Sequence, residues 1–92
     1  MKENDFFSSR AADETKRRLD EARRERDKAE KALEEAKQRR RDLEKSRKEN
    51  ANAVSQQDLD AAVKREDAAA DFYRKRVEIV DSLSRTTAVG FV

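Results

Sequence analysis

The stretch Asn52-Ala53-Val54-Ser55-Gln56-Gln57-Asp58-Leu59-Asp60-Ala61-Ala62 constrains this chain most, because it restarts a helix in the middle of helix-forming sequence. The Ser55 hydroxyl is placed to accept from the amide three residues on, and the Asp58 carboxylate to accept from the Ser55 amide, as in a capping box. Val54 before the cap and Leu59 after it stand where a hydrophobic staple needs apolar side chains. A helix over 11–49 therefore stops, turns within 50–55, and resumes over 56–84. Two long amphipathic helices joined by so short a turn must fold back on each other. The expected fold is all-α, a two-helix antiparallel coiled-coil hairpin.

Composition agrees with so thin an architecture. Charged residues make up 48% of the 92 and apolar ones 35%, too little for a core of ordinary thickness. High charge with few aromatics also marks disordered chains. Against disorder stand the absence of Pro, a single Gly at position 90, and the abundance of Ala, Leu, Glu, Lys and Arg.

Along the first helix, small and apolar positions recur in alternating steps of three and four: Ala12, Thr15, Leu19, Ala22, Arg26, Ala29, Leu33, Ala36, Arg40 and Leu43. That is the seam of a left-handed coiled coil, with arginine intruding twice. The second helix offers Leu59, Ala62, Val63, Glu66, Ala69, Ala70, Tyr73, Val77, Val80 and Leu83. With a turn centred near Asn52, residues whose numbers add to about 105 face one another. Leu43 then meets Ala62, Ala36 meets Ala69, Leu33 meets Phe72 or Tyr73, and Ala22 meets Leu83. Arg40 finds Glu66 and Arg26 finds Glu78. Acids placed four residues before bases (Glu14–Arg18, Asp20–Arg24, Asp27–Lys31, Glu35–Arg39, Glu44–Lys48) read as solvated outer faces.

The two ends differ from the helices. Residues 1–10 read as a lead-in carrying Phe6 and Phe7, with Ser8 or Ser9 as a cap. Residues 85–92 read as an extended tail, since Thr86, Thr87, Val89, Phe91 and Val92 favour strands and Gly90 breaks helices. In a hairpin these ends meet. Phe6, Phe7, Val89, Phe91 and Val92 would form an apolar open-end contact surface.

Chemistry finds little purchase. There is no Cys and no His, so thiol catalysis, histidine acid–base work and Cys/His zinc sites are excluded, and no catalytic residue, metal site or cofactor is expected. Net charge is +2, from 23 basic and 21 acidic residues, which argues against nucleic acid as the partner. The run Arg39-Arg40-Arg41, with Lys45, Arg47 and Lys48, is interrupted by Asp42, Glu44 and Glu49 and reads as a solvated face. No apolar run approaches the roughly 18 residues of a membrane span, and no signal peptide is visible. The expected activity is protein–protein interaction, with self-association favoured by the thin seam.

Residues 52–62 closely resemble the start of the second hairpin helix in periplasmic adaptor proteins, the membrane fusion proteins of tripartite efflux pumps and type I secretion systems. Asp5-Phe6 is similar to the entry of the first helix of such hairpins, and Leu83-Ser84-Arg85-Thr86-Thr87 with Gly90-Phe91-Val92 to the return strand into a lipoyl-like domain. The resemblance implies a periplasmic module whose tip, formed by Arg47, Asn50, Asn52, Val54, Ser55 and Gln56, is exposed and meets an outer-membrane channel. Ser55 matches the serine these tips often carry, while Lys48 and Glu44 stand where a leucine and an arginine fall. The competing reading is a free-standing coiled-coil scaffold or assembly subunit that docks through its open-end aromatics.

Overall fold

The computed structural model describes the backbone of residues 2–90 and the side chains of residues 13–85. Helix α1 (Lys2–Glu49) and helix α2 (Gln56–Gly90) lie against each other along one seam, an all-α hairpin. The molecule measures 74 × 15 × 14 Å. A helix of 48 residues is itself about 72 Å long at 1.5 Å per residue, so the rod is as long as α1 and two helices wide.

Reversal occurs in six residues, 50–55, as expected. The Asn50 amide still donates to the Ser46 carbonyl at 2.9 Å, completing the last turn of α1. Asn50 then organises the bend: its side-chain oxygen accepts from the Asn52 amide at 3.0 Å and its carbonyl from the Ala53 amide at 3.0 Å. A short Asn side chain that mimics the backbone in this way favours a turn over further helix. No non-glycine residue among those described has positive φ, so the reversal needs no glycine.

The restart is the reciprocal cap. The Asp58 amide donates to Ser55 Oγ at 3.1 Å, and the Ser55 amide donates to Asp58 Oδ2 at 3.4 Å. Two amides that the first turn of a helix leaves orphaned are thereby satisfied, and the Asp58 charge sits at the positive end of the α2 dipole. Ser55→Ala should lower stability by about 0.5–2 kcal/mol, read from the thermal midpoint; an unchanged midpoint would move the restart elsewhere.

The seam repeats by fours and threes. On α1, Leu19, Ala29, Leu33 and Ala36 are buried, and Thr15, Ala22, Arg26, Arg40 and Leu43 half-buried between them. On α2, Ala62 and Val80 are buried, and Leu59, Glu66, Ala69, Tyr73, Arg76, Val77 and Leu83 half-buried. Val63 and Ala70, expected in this row, are exposed, Val63 by 41%. A seam stepping 62, 66, 69, 73 has no room for residues one position further round the helix.

Three expectations about the ends and pairings are corrected. The lead-in over residues 1–10 is helical from Lys2, and the tail expected to be extended from 85 continues α2 to Gly90. The strand preference of Thr and Val is a weak prior that an established helix overrides, and Gly90, its last residue, is an ordinary helix end. Arg26 does not reach Glu78, which is exposed; its guanidinium bonds the adjacent Asp27 at 3.1 Å instead. Of the expected surface pairs Glu14–Arg18 is formed at 2.9 Å, whereas Asp20 takes Arg23 and Glu44 takes Arg40.

Candidate protein-interaction site

Among the described residues two surfaces stand out, the tip and one flank of α2. At the tip, Asn50, Asn52, Ser55 and Gln56 are exposed, as expected. Arg47 is half-buried, its guanidinium held by the Gln56 side-chain oxygen, while Gln56 Nε2 donates to Asp60 at 3.0 Å. Val54 contradicts its expected role as an exposed contact. It is only 6% accessible, because the chain folds it inward at the turn. The tip is thus a polar cap over an apolar plug. Ser55 spends its hydroxyl on the helix cap, whereas no hydrogen bond engages the Asn52 side chain.

Below the tip lies a charged cluster that bridges the seam. Arg40 reaches across to Glu66 through two guanidinium nitrogens and one turn onward along α1 to Glu44 at 2.9 Å. The hydrogen bond that Arg40 donates to Glu66 leads, with that to Glu44 second, in holding the guanidinium pKa above its usual value. A raised base contributes stability in full below its unfolded pKa and loses it only as pH climbs through the folded one. The pair is therefore constant across neutral pH. Its residue numbers add to 106, in keeping with the expected antiparallel register. Its position also dissolves the basic run: Arg40 points into the seam, and Arg39 and Arg41 are exposed on either side of it.

The flank was not foreseen. Phe72 is 48% exposed and Ile79 43%, and the Arg76 guanidinium lies 4.7 Å from the Phe72 ring centre. Their signal in the sequence is the seven-residue step Asp58, Arg65, Phe72, Ile79, which runs parallel to the seam. Surface grooves join this flank to α1: one is lined by Arg39, Leu43, Asp58, Ala61, Ala62 and Arg65, another by Ala32, Glu35, Ala36, Arg39, Arg65 and Ala69.

The open-end residues Phe6, Phe7, Val89, Phe91 and Val92 lie outside the residues whose side chains are described. Among the described residues no group of three or more acidic side chains is placed to hold a metal ion, and no helix is long and apolar enough to cross a membrane. No family model, no curated protein and no solved structure matches this chain.

Proposed function

We propose that this chain is a non-enzymatic protein–protein interaction module that presents its tip to another protein, in the manner of a periplasmic adaptor hairpin meeting an outer-membrane channel. The observation that carries this reading is the construction of the tip. The reciprocal Ser55–Asp58 cap, the Asn50 turn and the buried Val54 hold a small polar surface rigid at the end of a 74 Å rod. Rigid presentation lowers the ordering cost of binding, which suits a contact that is small and polar. One such tip binds weakly; several in a ring gain strength through effective concentration. On this reading the module works in the periplasm.

Co-purification of the full chain with an outer-membrane channel from the same cell tests it. Asn52→Arg places a long cation on the one tip side chain that no internal bond uses, and should cut retention at least about 10-fold, equivalent to about 1.4 kcal/mol. The double substitution Phe6→Ala, Phe7→Ala should leave retention unchanged. The opposite pattern assigns binding to the open end and overturns the tip reading in favour of a docked scaffold.

A further inference from the structure

We infer that a second copy of this chain covers the flank bearing Phe72 and Ile79, forming a four-helix bundle in which α2 of each copy lies over α1 of the other and both tips point the same way. The inference goes beyond the role given to the tip and does not depend on it.

The first argument is area. The chain exposes 7567 Å². A compact monomer of its mass exposes only about 5,500 Å², so the hairpin leaves roughly 2,000 Å² more in water. None of its described side chains is wholly buried. One long face of a rod 74 Å by 15 Å offers on the order of 1,000 Å². Two such faces together match the upper end of standard interfaces, about 2,000 Å², so a full-length partner of the same length fits the deficit.

The second argument is self-complementarity. Across the seam, facing residues sum to about 105, as the Arg40–Glu66 pair does at 106. Phe72 and the exposed Ala32 therefore sit at the same level of the rod, one on each helix. Ala32 lines a groove with Arg65, which stands one seven-residue step before Phe72 on the same flank. A two-fold axis along the rod brings Phe72 of one copy over Ala32 of the second, and repeats the contact in reverse. Large against small, twice, is what an isologous interface requires.

Charge is mixed along both strips and does not choose the orientation. The flank of α2 carries Arg65 and Lys75, with the Arg76 guanidinium over Phe72, and Glu78 lines a groove beside Lys75 and Ile79. The same level rule puts Arg65 at the height of Arg39 of the second copy, between Glu35 and Asp42. The orientation therefore rests on the fit of Phe72 to Ala32.

Sedimentation equilibrium of the full chain over about 1–200 μM should show a dimer. Phe72→Glu with Ile79→Glu should weaken it at least about 100-fold, as hot-spot removal in both copies does, with helicity retained because both side chains are half-exposed in the single hairpin. A monomer throughout, or a dimer indifferent to these substitutions, overturns the proposal. Disulfide trapping decides even where the charged variant unfolds. Ala68→Cys and Glu35→Cys, on separate chains and mixed, should yield the mixed disulfide in excess over either homodisulfide. Dominance of the Ala68→Cys homodisulfide would refute the stated orientation, and absence of any disulfide would refute the interface.

Discussion

Leu33→Ala is expected to unfold much of the chain at micromolar concentration. Leu33 is 7% accessible and sits midway along a seam whose other buried members include three alanines, Ala29, Ala36 and Ala62. An alanine layer buries little more than one methyl, so the larger residues supply most of the apolar burial. Removing a buried leucine side chain costs about 2–5 kcal/mol. Ordinary domains hold about 5–15 kcal/mol, and two helices with one seam stand at the low end of that range. Circular dichroism at 222 nm should report the loss at 25 °C. Val63→Ala is the matched control: its side chain is 41% exposed, and the change should stay within about 0.5 kcal/mol. Equal effects from the two would mean that the seam runs through Val63.

Val54→Asp should destabilise the hairpin by about 2–3 kcal/mol, because it removes a buried apolar side chain and asks the same pocket to hold a carboxylate. Hydrogen exchange should accelerate first over residues 50–60, where the plug and the cap depend on each other, while the middle of the seam keeps its protection. This result separates two roles for one residue. A Val54 that served as a partner contact would lose binding on substitution with no shift in the melting midpoint.

The turn was legible because its signals are local. Ser55 and Asp58 need only a spacing of three to bond each other's amides, and that spacing is visible in any sequence. The level rule worked for Arg40 because Glu66 stands in the seam at the matching height. It failed for Arg26, where an acid one residue away was nearer than any across the seam, and where Glu78 lies off the seam altogether. A turn residue such as Val54 is usually exposed; its burial depends on how the chain folds beneath itself, which spacing does not encode. Phe72 was hidden for a related reason. A 3.5-residue period leaves the neighbouring heptad column free, and only the structure shows which of two adjacent columns faces inward. At the ends, a helix already formed carries through residues whose own preference is for strands.

Counting outward from the turn has a consequence for length. Partners across the seam sit at heights fixed by their distance from Asn52, so the structure closes like a zipper from one end, each layer shortening the loop that the next must close. Local contacts of this kind form early and keep the entropic cost of every later layer low. Adding or deleting seven residues in each arm shifts the tip by about 10 Å while leaving cap, register and flank chemistry as they were. How far such a rod reaches can therefore change independently of the chemistry at its tip.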